Sequence, residues 1–116
     1  MSVVREREVS FCVPLGTVRE GIVAVLRGGR WYYSYVDTIW SEDGLTAETR
    51  IKPKWWTFLA STRLRLALQR GESGCTVRAW TESQRYVKGD VLGCYRRLLE
   101  DFFSALGSEL RDGESG

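Results

Sequence analysis

The sequence predicts an α+β protein in which an antiparallel sheet carries two helices on one side, in the order β-α-β-β-β-β-α. Three features of the chain predict this class. Apolar residues recur at three- and four-residue steps over 91–111, which is typical of an amphipathic helix. Apolar and polar residues alternate in several earlier segments, which is typical of half-buried strands. Short turn sequences join the later strands, and connections of that length favour antiparallel neighbours.

The composition is that of a folded domain of modest size. The chain has 116 residues, of which 43% are apolar and 28% charged, so it is too apolar to be disordered. We therefore expect one domain over 1–111 and a frayed tail over 112–116. A net charge of +2 is too small to imply nucleic acid or an anionic membrane. Because no apolar run reaches the roughly 18 residues of a membrane helix and the N-terminus lacks a signal-peptide pattern, we expect a cytoplasmic protein.

Two residue types limit the chemistry. The chain has no histidine, which excludes imidazole as a base, proton shuttle or metal ligand within it. Its three cysteines, Cys12, Cys75 and Cys94, show no CxxC spacing, so we expect reduced thiols that pack as small core residues. We predict no catalytic residue, no metal site and no cofactor.

The N-terminal part predicts a strand followed by a short helix. The strand covers 3–13 and ends at Pro14. Thr17 and Glu20 have the spacing of a capping box, and Gly28-Gly29 is a glycine signal for the end of the helix. The apolar positions that define the two elements are Val9, Phe11 and Val13 in the strand and Leu15, Val18, Ile22, Val25 and Leu26 in the helix.

The middle of the chain predicts four strands. Residues 30–41 are aromatic and β-branched, and 45–52 alternate in polarity. Pro53 interrupts the alternation, which then continues over 54–70 and, after a turn, over 75–84. The turn sequences are Glu42-Asp43-Gly44 and Gly71-Glu72-Ser73-Gly74.

The last predicted element is the long helix over 91–111, with Asp90 as its N-cap. One face of this helix is too apolar to stand in water, so the sheet must cover it. The residues of that face are Tyr95, Leu98, Leu99, Phe102, Leu106 and Leu110.

The whole chain resembles a reduced helix-grip domain of the START-like, polyketide-cyclase and birch-pollen-allergen superfamily (SRPBCC), in particular its small members of the carbon monoxide dehydrogenase G type. The resemblance implies a curved sheet that wraps around the C-terminal helix, with an apolar ligand cavity between them. The chain has room for only one helix between its first two strands, where that superfamily usually has two. The passages that carry the resemblance are Val9-Ser10-Phe11 leading into Leu15, 49–56 (TRIKPKWW), 62–68 (TRLRLAL), 74–77 (GCTV), Leu92-Gly93 and 102–106 (FFSAL).

The resemblance implies a set of inward-facing positions, and two interpretations of them are open. They are either ordinary core or the lining of a pocket for a small hydrophobic or lipid-like molecule, whose polar end the tyrosines or Asp37 would orient. The parity of 32–35 (YYSY) is ambiguous, so either tyrosine set can face inward. The predicted ligand-binding residues are Tyr33, Tyr35, Trp56, Phe58, Leu66, Val77, Tyr95, Leu99 and Phe102.

The opposite parity of the strands predicts a basic outer face. The alternatives for this face are a solvated surface with ion pairs to Glu48 and Glu82, a single-stranded nucleic-acid site, or an interaction surface that forms a homodimer. Of these, we expect nucleic acid least. The residues are Arg50, Lys52, Lys54, Arg63, Arg65 and Arg78, with Trp55 and Trp80 between them.

Asp37 is the one candidate acid or base. If it pointed into the core, its pKa would rise, whereas the simpler interpretation is a strand-end carboxylate paired with an arginine. We therefore expect non-catalytic binding of a small hydrophobic molecule first, an interaction module second, and an enzyme of the cyclase or hydrolase type third.

Overall fold

A computed structural model of the chain describes residues 2–30, 33–53, 62–83 and 93–115. It confirms the α+β class: a curved antiparallel sheet carries α2 against one face, in the strand order β1-β6-β5-β4-β3-β2. The elements are β1 (Ser2–Phe11), α1 (Leu15–Leu26), β2 (Gly29–Arg30), β3 (Tyr33–Trp40), β4 (Thr46–Pro53), β5 (Thr62–Arg70), β6 (Cys75–Ser83) and α2 (Cys94–Ser115).

The prediction of one strand over 30–41 is wrong. β2 and β3 are separate antiparallel strands, with Gly29 opposite Ser34 and Arg30 opposite Tyr33. The close approach depends on Gly29, because a Cβ atom there would lie 2.5 Å from the carbonyl oxygen of Tyr33. Propensity alone could not show the break, since the residues on both sides of it favour strands.

A bulge interrupts the pairing of β3 with β4. Val36 lies opposite Arg50 and Ile39 opposite Glu48, so three steps on β3 match two on β4. Asp37 takes the extra position with φ of 54°, in the left-handed region. The parity of β3 therefore changes, and Ile39 points to solvent with 68% of its surface exposed.

The structure also corrects how α1 begins and ends. The helix begins at Leu15, with Pro14 at the N-cap and no side-chain cap, so the predicted Thr17–Glu20 capping box does not form at its start. Instead, the amide of Val18 donates to the carbonyl of Pro14 (3.1 Å). The helix ends just before the glycines, as predicted. However, its C-cap is Arg27 in a right-handed conformation, and Gly28 has no positive φ.

The core is one cluster between the sheet and the two helices. α1 contacts β3 and β5, α2 contacts β1 and β6, and the two helices contact each other. All six apolar residues predicted for the inner face of α2 are buried, and Phe103 joins them. α2 continues through 112–115, where a frayed tail was expected, and its predicted cap Asp90 lies outside the described residues. Neither described helix has a stretch long and apolar enough to cross a membrane.

The two helices meet closely at Gly21. A Cβ atom built there would lie 3.0 Å from Cδ1 of Leu106 and 3.2 Å from Cδ2 of Leu110. Gly107, within α2, has nothing within 4 Å of the same position. The absence of a side chain at Gly21 therefore sets how near α1 and α2 can approach.

We expect Gly21→Val to lower the free energy of unfolding by about 1–3 kcal/mol, because the added methyl groups overlap the leucines of α2. The matched control Gly107→Ala adds a methyl group to open space and should stabilise the protein by about 0.5–1 kcal/mol through helix propensity. Urea denaturation measures both values. Equal effects of the two substitutions would contradict the close helix contact.

Candidate functional site

The described part of the predicted site lies in the core of the inner sheet face, the face that α1 and α2 cover. Tyr33 and Tyr35 both point inward, which settles the parity of the tyrosine run; Tyr32 lies outside the described residues. Trp56 and Phe58 also lie outside them. The seven described site residues are all buried, with at most 8% of any one exposed: Tyr33, Tyr35, Leu66, Val77, Tyr95, Leu99 and Phe102.

One half of the inner face is apolar. Leu66 lies between Ala47 and Ala79 in a row across three strands. Leu68 lies opposite Val77, which in turn lies opposite Val9 on β1. These pairs are the expected contents of a core, and their side chains leave no hydrogen-bonding group to satisfy.

The other half of the inner face carries hydroxyl groups. Thr62 lies opposite Ser83, where β5 begins and β6 ends. One step further along, Leu64 lies between Thr49 and Thr81. The four buried polar residues of the described chain are all in this half, which Tyr33 and Tyr35 join from β3: Thr49, Thr62, Thr81 and Ser83. We call the six residues the hydroxyl half.

Most hydroxyls of this half have partners within the chain. Tyr33 and Tyr35 are hydrogen-bonded through their hydroxyl oxygens (3.2 Å), with their rings edge to face. Thr49 Oγ1 donates to the carbonyl of Val36 (3.1 Å). The amide of Arg5 donates to Thr81 Oγ1 (3.2 Å). Ser83 also has an interaction of its own, so Thr62 is left to consider.

Thr62 Oγ1 is the exception. The Thr62 side chain is fully buried, and within the part of the chain that the structure describes its hydroxyl oxygen has no hydrogen-bond partner. Such a group costs free energy, because it has given up its hydrogen bonds to water without replacement. The sequence placed Thr62 on the inner parity of its strand, but its lack of a partner depends on the neighbouring strands.

The outer face is the side of the same sheet that lies opposite the two helices. The structure confirms that Arg50, Lys52, Arg63, Arg65, Arg78 and Trp80 lie there, whereas Lys54 and Trp55 lie outside the described residues. Glu48 pairs with Arg63 and with Arg65 (3.3 Å), as predicted. A carboxylate oxygen of Glu82 lies 2.8 Å from Nε of Arg65, and Glu82 accepts a hydrogen bond from the indole N–H of Trp80 (3.0 Å).

A second set of contacts extends this network to β1. Arg78 Nε lies 2.6 Å from a carboxylate oxygen of Glu6, and the Arg78 guanidinium carbon lies 5.1 Å from the centre of the Trp80 ring. The hydrogen bond from Arg78 lowers the pKa of Glu6 and raises the pKa of Arg78 itself. Carboxylates therefore neutralise most of the arginines, which favours a paired face over a nucleic-acid site.

Asp37 does not point into the core. Its side chain is 68% exposed and lies 2.8 Å from Nη2 of Arg50, which confirms the predicted pairing with an arginine. However, Asp37 lies at the bulge within β3 and not at a strand end. The prediction of buried thiols is confirmed for Cys75 and is wrong for Cys12, which is exposed. Burial raises the pKa of the Cys75 thiol. The side chain of Cys94 lies outside the described part. Among the residues described, no group of three or more Cys, Asp or Glu is placed to hold a metal ion.

Comparison with known proteins assigns no family. No model of a protein family matches the chain, and no curated protein matches it either. The function must therefore be argued from the two faces of the sheet.

Proposed function

We propose that the protein binds a small amphipathic molecule, without catalysis, between the inner face of the sheet and α2. The observation that carries this proposal is the division of the inner face into an apolar half and the hydroxyl half. Binding sites for small molecules are mostly apolar and contain a few polar groups that converge. The inner face has both parts, toward opposite ends of the same strands.

The division also costs stability, which is an argument for a function. A buried hydroxyl adds no more stability to a core than an aliphatic side chain of the same shape. Val in place of Thr62 would fill the same volume without an unpaired oxygen. A ligand whose polar end reaches the hydroxyl half would recover this cost.

The apolar half would supply most of the affinity. Burial of apolar surface contributes about 25 cal/mol per Å², so a ligand's alkyl or ring portion gains several kcal/mol by leaving water. The described side chains are covered by the chain itself, so entry requires a local opening between α2 and the sheet. The ligand binds the opened state preferentially and thereby increases its population.

A test uses delipidated protein and three probes with the same alkyl chain, namely decan-1-ol, decanamide and decanoate. We expect at least one probe to raise the melting temperature by several degrees, because a ligand at 100 times its Kd stabilises the folded state by about 2.7 kcal/mol. Differential scanning calorimetry measures the shift. Native mass spectrometry of freshly purified protein should show a noncovalent adduct that denaturation removes.

Two findings together would refute the binding proposal. One is a bare chain mass in repeated preparations of the purified protein. The other is an unchanged melting temperature with all three probes up to their solubility limits.

The outer face favours a second candidate function, an interaction module that forms a homodimer. Two large apolar residues of the described chain, Val3 and Ile39, are exposed by 56% and 68%, and both lie on this face. Ile39 and Trp80 line a groove of about 330 Å³ above the Glu48–Arg65 pair. Apolar and aromatic side chains of this kind anchor protein interfaces.

The charges of the outer face suit a second copy. Since the described cations and carboxylates of this face are equal in number, two copies would not repel each other. Five strands about 4.8 Å apart and about eight residues long form a face with an area of roughly 600 Å². Stable interfaces bury about 800 Å² on each partner, so the face is close to the size that a dimer needs. The charged residues are Arg50, Lys52, Arg63, Arg65 and Arg78 against Glu6, Glu8, Asp37, Glu48 and Glu82.

We expect sedimentation equilibrium to show a monomer–dimer equilibrium that Ile39→Lys weakens about tenfold or more, since it places a charge at an interface anchor. The control Ala24→Lys adds the same charge on the exposed face of α1 and should leave the equilibrium unchanged. A protein that is monomeric at millimolar concentration, or two variants with equal effects, would contradict the homodimer.

A further inference from the structure

We infer that the polar end of the bound molecule is uncharged and forms a hydrogen bond with Thr62 Oγ1. This inference rests on the proposed binding at the inner face and adds the chemical class of the ligand: an apolar body with an alcohol, amide or carbonyl group. It excludes fatty acids and other anions as the preferred ligands. The hydroxyl half and the distribution of charge around it carry the argument.

The first step is the position of the free hydroxyl. Thr62 begins β5 directly opposite Ser83, the last residue of β6, and both side chains are buried. Continuing the β4–β5 register by one step places Ile51 on the other side of Thr62, and Ile51 in turn lies opposite Tyr35. The free oxygen therefore belongs to a row that runs Tyr35, Ile51, Thr62, Ser83 across the sheet.

The second step is the supply of hydrogen-bonding capacity. A threonine hydroxyl has one donor and two acceptor positions, and at Thr62 none is used within the described chain. In contrast, Thr49 and Thr81 are held by the backbone groups of Val36 and Arg5. Thr62 is thus a member of the hydroxyl half whose whole hydrogen-bonding capacity is unused within the described chain.

The third step is the absence of a counter-charge. Within the described residues every buried polar side chain is a neutral hydroxyl, and none is charged. A carboxylate or ammonium group placed beside Thr62 would lose its hydration without an opposite charge to compensate, which costs far more than one hydrogen bond returns. An uncharged polar group avoids that cost and still satisfies the hydroxyl.

The two described arginines on the inner parity of β1 do not change this conclusion. Arg5 and Arg7 lie opposite Thr81 and Ala79, but both side chains are exposed at the edge of the sheet. The Arg7 guanidinium carbon lies 5.6 Å from the centre of the Phe103 ring, and Arg5 has interactions of its own. Neither arginine is buried beside Thr62.

The substitution Thr62→Val separates this inference from a merely structural role, because it should act in opposite directions on stability and on binding. It removes the unpaired oxygen but keeps the shape, so the melting temperature of the ligand-free protein should rise by a few degrees. It also removes the ligand's hydrogen bond, so decan-1-ol and decanamide should bind about 3- to 10-fold more weakly.

Two matched variants serve as controls. Thr46→Val makes the same change on the outer face and should alter neither quantity. Thr49→Val removes a buried hydroxyl that donates to the Val36 carbonyl, so it should lower the melting temperature where Thr62→Val raises it. Isothermal titration calorimetry with the three decyl probes gives the affinities, and scanning calorimetry gives the melting temperatures.

Each outcome has a distinct meaning. Decan-1-ol and decanamide that bind at least tenfold more tightly than decanoate, and that lose affinity in Thr62→Val, support the inference. Binding that Thr62→Val leaves unchanged, or decanoate that binds as tightly as the alcohol, overturns the uncharged head group and leaves the proposed binding intact. If none of the three probes binds and repeated preparations show only the bare chain mass, the proposed function itself fails.

Discussion

Burial of the apolar face of α2 is the interaction on which the rest of the structure depends. The sheet is curved, and the side chains that fill its covered side come from five strands and both helices. Phe102 is fully buried in this cluster and packs edge to face with Phe103, their ring centres 5.2 Å apart. Without α2, β1 and β6 would expose Val9, Cys75 and Val77 to water, and such a sheet cannot exist alone.

The same burial makes the hydroxyl half chemically informative. Hydroxyls exposed to solvent would bind water, whereas Thr62 is fully buried and its hydroxyl has no partner within the described chain. The two faces thus differ in the kind of polar group that they carry. The outer face pairs its charges with one another through Glu48 and Glu82, and the inner face holds only neutral groups among its buried residues.

Sequence periodicity predicted which side chains are buried and which point outward, because these features depend on a single helix or strand. The three- and four-residue spacing identified every buried position of α2 except Phe103, and alternation identified the outward arginines of β4 and β5 together with their carboxylate partners. It could not show the bulge at Asp37 or the separation of β2 from β3, because neither changes the residue types along the strand. Sequence periodicity could not predict the hydroxyl half either. Thr49, Thr62 and Thr81 come together only through the register of three strands, and a missing hydrogen-bond partner is a property of neighbours.

The most direct test of this account is the free energy of unfolding of Phe102→Ala, measured by urea denaturation. If the face of α2 holds the fold together, the substitution should cost about 3–5 kcal/mol and the variant should still unfold in one cooperative transition. The matched control Ser104→Ala lies on the exposed side of the same helix and should change the value by less than about 0.5 kcal/mol. A loss below about 1 kcal/mol for Phe102→Ala would contradict the central role of the helix.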